Sequence, residues 1–270
     1  MKVAVVGIGR WGQVLLRKLK EQAEVKYECD SHTDLGPVLA DSEIEAVFIA
    51  TPTETHFDIA LRALEAGKHV FLEKPGTTNS KDLTRLIEKA KTENLKLAIG
   101  YEFVHHPAVQ KLKGLLSGKT IKGLRFEWFK WGTFDHEAIA HLLCHDVSVA
   151  SFLDLQLEPS SCKKVAVISD SDILETEFKN GVKSFINRVS PIKKKTLTVL
   201  LDKGGYIWSN NELFEIKDKT LEKVEVADHT PVQAEVKDFL SSIKDSREPL
   251  VNGDFALKVY EIIEQVSALR

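Results

Sequence analysis

The chain has little of what marks secreted, membrane-embedded or nucleic-acid-binding proteins. Its three cysteines, Cys29, Cys144 and Cys162, are scattered without CxxC spacing. An odd, dispersed set offers neither a disulfide framework nor a cysteine metal site, so buried thiols are expected. No apolar run approaches bilayer length, and the first residues enter a core strand with no basic, apolar and small-residue leader ahead of them. A cytoplasmic protein with no membrane partner is therefore expected. Charge of neither sign dominates: the formal net charge is -3 over 270 residues, which gives no electrostatic reason to expect nucleic acid. The one tight basic cluster, Lys193 to Lys195, follows Pro191 and precedes a strand, where a solvated hairpin edge is expected. Repeats, low-complexity tracts and linker-like stretches are also missing. What remains, 43% hydrophobic and 29% charged, suffices for one large core or two of ordinary size.

The informative stretch is MKVAVVGIGRWG. An apolar run from Val3 to Val6 delivers the backbone into Gly7, Gly9 and Gly12, and a helix follows from Gln13 to Leu19. A buried parallel strand reads as continuous apolar residues, and a strand, glycine-rich turn and helix in that order form a dinucleotide site. Gly7 permits the tight turn, Gly9 lets a pyrophosphate approach the main chain, and Gly12 lets the helix pack closely. The helix N-terminus would face the phosphates, with Ile8, Arg10 and Trp11 lining the same loop. A second strand, Val25 to Cys29, ends at Asp30, where a carboxylate would meet a ribose 2′-hydroxyl and repel a 2′-phosphate, favouring NAD. Ser31 and His32 keep NADP possible, since a hydroxyl and an imidazole there could hold that phosphate.

Strand and helix signals alternate through the first 120 residues. Strands are expected over 3–6, 25–29, 46–50, 69–72 and 96–99, with helices capped at Thr53 and at Asn79 or Ser80, and another from Pro107 to Leu116. This is βα winding: an α/β Rossmann domain, with a doubly wound parallel sheet, over residues 1–120. Afterwards the pattern changes. An aromatic strand over 121–131 and a helix over 138–153 precede strands over 165–169, 173–178, 182–189, 196–201 and 206–209. Asn180-Gly181 and Gly204-Gly205 are hairpin signals, and closing helices are expected over 232–243 and 255–269. Residues 121–270 thus read as an α+β substrate-binding and oligomerisation domain with an open, mainly antiparallel sheet.

GIGRWG, ATPTETH at 50–56, LRALEAGKHVFLEKP at 61–75 and HxxxHD at 141–146 together resemble the glucose-fructose oxidoreductase, inositol dehydrogenase and MocA (Gfo/Idh/MocA) family. The resemblance implies a Rossmann domain followed by an open antiparallel sheet. It further implies NAD or NADP as cofactor, and oxidation of a sugar or cyclitol hydroxyl. Members commonly carry an aspartate four residues before the catalytic histidine; this chain has His141 there.

The residues support the same roles. Thr51, Pro52, Thr53 and His56 lie where a strand breaks into a helix, at the sheet's carboxyl edge where cofactors bind. Capping is the alternative for Thr53. Glu73, Lys74 and Pro75 follow the next strand at that edge; Pro75 ends it and is a candidate for a cis peptide bond. Tyr101 and Glu102, just past the strand over 96–99, are candidate cofactor contacts. His145 is the expected base, because hydride removal from a carbinol carbon requires loss of the hydroxyl proton and imidazole titrates near neutrality. Lys74 would stabilise the developing alkoxide, and His141 would support His145 on one helical face.

The expected activity is an NAD(P)-dependent dehydrogenation of a CH–OH group in a sugar, nucleotide sugar or cyclitol. Two alternatives stay open. His136, His141 and His145 suggest a metal, but HExxxH places its second histidine one residue late for the HExxH geometry, so no metal is expected. A non-catalytic NAD(P)-binding sensor or scaffold is the other. Phe126, Trp128 and Lys130 alternate with Glu127, Phe129 and Trp131, so both faces of that strand carry aromatics; a homo-oligomer, dimer or tetramer, is expected through one of them.

Overall fold

Continuous Val, Ala and Ile runs become interior strands of a parallel sheet. In a computed structural model describing residues 1–132, 134 and 137–269, strands β1 (Lys2–Val6), β2 (Glu24–Cys29), β3 (Ile44–Ile49), β4 (His69–Glu73) and β5 (Leu97–Gly100) pair in the order β2-β1-β3-β4-β5. All four pairings are parallel. β2 alternates exposed and half-buried positions, whereas β1, β3, β4 and β5 are almost wholly buried, as edge and interior strands should differ. Crossovers run through α1 (Arg10–Lys20), α2 (Leu35–Ala40), α3 (Thr53–Glu65) and α4 (Ser80–Thr92). Asn79 caps α4 by accepting from the Asp82 amide. Thr53 is not a cap: it is the first residue of α3, and Pro52 holds the cap position. Proline fixes the entry angle there, and the Thr55 hydroxyl serves the turn by donating to the Pro52 carbonyl at 2.8 Å.

The chain forms two compact units, residues 1–102 with 230–260 and residues 103–229 with 261–270. In the first, Val3, Val5, Ala46, Phe48, Phe71 and Ala98 pack against Leu15, Leu16 and Leu19 of α1 and against Val232, Val236 and Phe239 of α7 (Pro231–Lys244). Phe239 meets Phe48 and Phe71 edge-on with centroids 5.3 and 5.7 Å apart, which locks α7 onto the sheet. Gly253 opens α8 (Gly253–Ala268). A Cβ there would lie 2.6 Å from Ile87 Cγ1, so only glycine lets this turn lie against α4.

The second unit holds α5 (Pro107–Leu116), α6 (Cys144–Phe152) and an eight-stranded sheet. Its strands are β6 (Gly123–Trp131), β7 (Pro159–Val165), β8 (Ile173–Phe178), β9 (Val182–Asn187), β10 (Val189–Leu200), β11 (Gly205–Ser209), β12 (Glu212–Lys217) and β13 (Thr220–Val224). They run in the order β13-β12-β11-β10-β6-β9-β8-β7, antiparallel except for the parallel β6–β9 pair.

Four expectations are corrected here. The strand read over 165–169 lies earlier, as β7, and residues 167–169 instead wrap Asp172, whose carboxylate accepts from the Val167, Ile168 and Ser169 amides. The strand over 196–201 begins at Val189, with a register shift between Val189 and Lys194 that absorbs Pro191. β12 and β13 were not anticipated. The helix over 138–153 is interrupted by a π-helical turn, Ile139–Leu143, ahead of α6, which changes the spacing of His141 and His145 from that of a regular helix.

Candidate active site

The three glycines of the first loop are glycine for different reasons. Gly7 has φ +95°, and a Cβ there would sit 2.6 Å from the Ala50 carbonyl carbon and 2.7 Å from the Thr51 amide. A Cβ on Gly12 would fall 1.8 Å from the Gly7 carbonyl oxygen. Both are required by the close approach of β1, β3 and α1. Gly9 differs: its φ is -68°, and a Cβ would meet nothing within 4 Å. The polypeptide leaves open space there, beside the uncapped N-terminus of α1, which has no acidic residue in its first turn. Open space and undedicated N–H groups at the β1/β3 switch point fit a dinucleotide pyrophosphate. Ile8 packs on the core while Arg10 and Trp11 are exposed.

The neighbouring loops are held by side chains. Asp30 ends in a turn whose carboxylate accepts from the His32 amide at 3.0 Å and the Thr33 hydroxyl at 2.9 Å. The Thr33 hydroxyl bond, joined by the His32 amide, holds Asp30 below the usual carboxylate range, and Ser31 beside it is exposed. His56 is buried with its ring nitrogens 3.0 Å from the Gly76 carbonyl oxygen and 2.8 Å from that of Thr51. Burial lowers its pKa. His56, expected to face the cofactor, is thus a clamp joining the loops after β3 and β4, and it shapes the site through Thr51 and Gly76.

Glu73 closes β4 ahead of Lys74 and a cis Lys74–Pro75 bond. Its carboxyl is pushed up to about 7, chiefly by burial, opposed by the nearby Trp11 indole, and it accepts from the Lys74 amide at 3.3 Å. Lys74 is half-buried. Glu235 on α7 was missed by the sequence reading. It is 2% exposed, neither carboxyl oxygen has a hydrogen-bond partner, and burial, followed by repulsion from Glu73 and Glu102, raises its pKa well above the usual value. Tyr101 is buried and Glu102 half-buried.

In the second unit, His145 opens α6, 5% exposed. Its imidazole lies 4.8 Å from the Phe103 ring and 5.2 Å from that of Trp128, centroid to centroid. Asp146 turns to the sheet and accepts from the Ser184 hydroxyl at 2.7 Å; burial, opposed by that bond, pushes its carboxyl up to about 6. His141 is half-buried in the π-helical turn, so the shared helical face expected for it and His145 does not form. Lys195 overturns the expectation of a solvated basic edge. β10 is an interior strand, and the Lys195 ammonium lies over the ring faces of Phe103, Trp128 and Trp208, 4.0 Å from the Trp128 centroid. The signal was available: Lys195, Leu197 and Val199 alternate onto one face.

His136 lies outside the described residues; among those described, no group of three His, Cys, Asp or Glu side chains is arranged to hold a metal ion. No helix of the described residues is long and apolar enough to cross a membrane. Cys29 and Cys144 are buried thiols, but Cys162 is only half-buried.

A parallel sheet with this glycine loop at its switch point has the architecture of a dinucleotide-binding domain, here followed by a mixed sheet. The family model described as "oxidoreductase family, NAD-binding Rossmann fold" matches residues 18–101. UDP-N-acetylglucosamine 3-dehydrogenase of Acidithiobacillus ferrooxidans is 26% identical over 98% of this chain and 96% of its own. A solved structure of that enzyme superimposes with a TM-score of 0.90, covering 100% of this chain and 97% of the other. Myo-inositol 2-dehydrogenase of Thermotoga maritima is 27% identical over 45% of this chain and 42% of its own. The chain is thus similar to oxidoreductases of the Gfo/Idh/MocA family.

Proposed function

We propose that the protein transfers hydride between a nicotinamide cofactor and a carbinol carbon of a nucleotide sugar, with free sugars and cyclitols as the wider substrate class. The observation that carries this reading is the open space at Gly9 beside an uncapped helix end, in a chain similar along nearly its whole length to UDP-N-acetylglucosamine 3-dehydrogenase. Gly7, Gly9, Gly12 and the α1 amides would hold the pyrophosphate. Asp30 would accept from the ribose hydroxyls, which favours NAD over NADP. Thr51, Pro52 and Thr53 would line the same edge. The nicotinamide, when bound, supplies the hydride acceptor or donor.

In this reading His145 takes the hydroxyl proton and Lys74 supplies fixed positive charge to the forming alkoxide. His141 cannot provide the anionic partner an aspartate would, and the His145 imidazole packs against Phe103 and Trp128. The enzyme would act as a homo-oligomer through the outer face of the second sheet, where Phe129 and Phe185 meet edge-on with centroids 5.7 Å apart and Trp131 is 64% exposed; light scattering reporting a monomer would remove that element.

The test is nicotinamide absorbance against a panel of UDP-sugars, sugars and cyclitols, for the native chain and His145→Ala. Turnover lost by at least about a hundredfold in His145→Ala, with NADH binding kept, supports the reading. Tight NADH binding with no turnover across the panel would replace it with a nucleotide sensor.

A further inference from the structure

His56 faces two acceptors with a ring that can satisfy both in only one protonation state. It lies in the first turn of α3 and is 1% exposed. Its Nδ1 stands 3.0 Å from the Gly76 carbonyl oxygen and its Nε2 2.8 Å from that of Thr51. A carbonyl oxygen accepts and never donates, and a neutral imidazole has one N–H. The neutral ring therefore donates to one carbonyl and turns a lone pair on the other. Only the imidazolium, with two N–H groups, makes both bonds. The two partners belong to different loops. Thr51 follows β3 and abuts the glycine loop, since a Cβ on Gly7 would lie 2.7 Å from its amide. Gly76 follows β4, and its amide donates to the Glu73 carbonyl at 3.0 Å, closing the turn that holds Lys74.

We propose that His56 is a positioning residue whose protonation ties the Thr51 and Gly76 loops together. With one proton taken up from solvent the ring donates to both carbonyls; with that proton lost it releases one. The spacing between the proposed cofactor edge at Thr51 and the turn bearing Lys74 then follows the state of this ring. The consequence for binding rests on the proposed cofactor site, whereas the two-carbonyl geometry stands without it. Burial opposes the charge and lowers the His56 pKa, while both carbonyls and Glu54 of α3 favour the charged form. The ring accordingly changes state on the acid side of the usual histidine value near ~6.5. Other charged groups lie on the segments around it. Asp58 of α3 is exposed, and Asp82 and Arg85 of α4 pair with each other at 3.4 Å. Glu73 and Lys74 stand in the turn that ends at Gly76. Glu73 is itself pushed up to about 7, by burial first, so it is mostly neutral where His56 titrates.

The experiment is an NMR titration of the unliganded native chain from pH ~8 to ~5, following the His56 ring nitrogens by 15N and the Thr51 and Gly76 carbonyls by 13C. Both carbonyl resonances are expected to move with the His56 midpoint. A ring that keeps one state throughout, or carbonyls that do not follow it, would overturn the proposal. Calorimetric titration with NAD+ supplies the binding readout. Affinity in the native chain should be at least about threefold higher at the acid end than at pH ~8, and this gain should be absent in His56→Gln and His56→Asn, whose amides do not titrate. Equal gains in the native chain and a folded variant would overturn the positioning role. No binding of NAD+ to the native chain would instead contradict the proposed cofactor site, and the carbonyl titration, read without ligand, would still decide what the ring does.

Discussion

Gly9 and Gly12 stand three residues apart and differ in surroundings: a Cβ on Gly12 would strike the Gly7 carbonyl, while one on Gly9 would meet open space, where we propose the cofactor binds. Gly12→Ala should therefore be destabilising in the absence of any cofactor, by about 1–3 kcal/mol from overpacking against a backbone oxygen that cannot yield. Thermal unfolding of the free protein checks this; an unchanged midpoint would mean that the loop is looser than its 1.8 Å virtual contact implies. At this scale the sequence was highly legible. The tight turn at Gly7 and the close packing at Gly12 follow from what a Cβ would strike at each, whereas Gly9 borders open space. The role of His56 was not legible, because nothing local shows that its two ring nitrogens will lie against carbonyls of separate loops. Lys195 was misread because three consecutive lysines resemble a solvated edge, while the alternation of Leu197 and Val199 carried the opposite message.

Among the elements, the turn between β7 and β8 is organised by a single buried carboxylate. Asp172 accepts from three consecutive amides and the Ser169 hydroxyl, and faces Arg188 Nε at 3.4 Å with both side chains at most 2% exposed. Burial opposes its ionisation, but the Ser169 hydroxyl and the amides of Ser169, Ile168 and Val167 outweigh it and hold the carboxyl well below the usual range. Asp172→Asn would leave the Arg188 guanidinium buried beside a neutral partner, at an expected cost of about 3–5 kcal/mol in chemical denaturation. A depressed pKa also fixes the sign with acid. This stabilisation is present above the unfolded carboxylate value near ~4 and is lost as pH falls through the lower folded value. A loss under about 1 kcal/mol would show the turn to be held by its backbone alone.

Elements of the first sheet were readable because buried parallel strands are uninterrupted apolar runs. β12 and β13 were not, since charged residues (Glu212, Glu215, Lys217, Glu222 and Lys223) interrupt their apolar positions and β13 is largely exposed. Edge strands of this kind hide in composition. The π-helical turn before α6 was illegible for a different reason: one extra residue in a turn leaves the apolar pattern intact while moving His141 around the axis.

Over the whole molecule, buried acids set the pH profile. Glu73 is pushed up to about 7, and Glu235 higher, by burial first. A raised carboxyl contributes stability below its unfolded value, near ~4.5, and that contribution is lost as pH rises through the folded value. The native protein should accordingly lose stability between pH ~4.5 and ~7 and beyond. Glu235→Gln keeps the shape, removes one buried charge and relieves Glu73, so its unfolding temperature at pH ~8 should exceed that of the native chain by about 4 °C, with little difference at pH ~4. Equal profiles would show that water reaches these carboxyls.

The central claim is that the open space at Gly9 receives a nicotinamide dinucleotide. Calorimetric titration of NADH into the native chain and into Gly9→Ala, with thermal unfolding of both as the folding control, tests it most directly. The account predicts saturable binding to the native chain and at least about tenfold weaker binding to Gly9→Ala, while the unliganded stabilities agree within about 1 kcal/mol. Equal affinities, or no binding of either NADH or NADPH to the native chain, would contradict it.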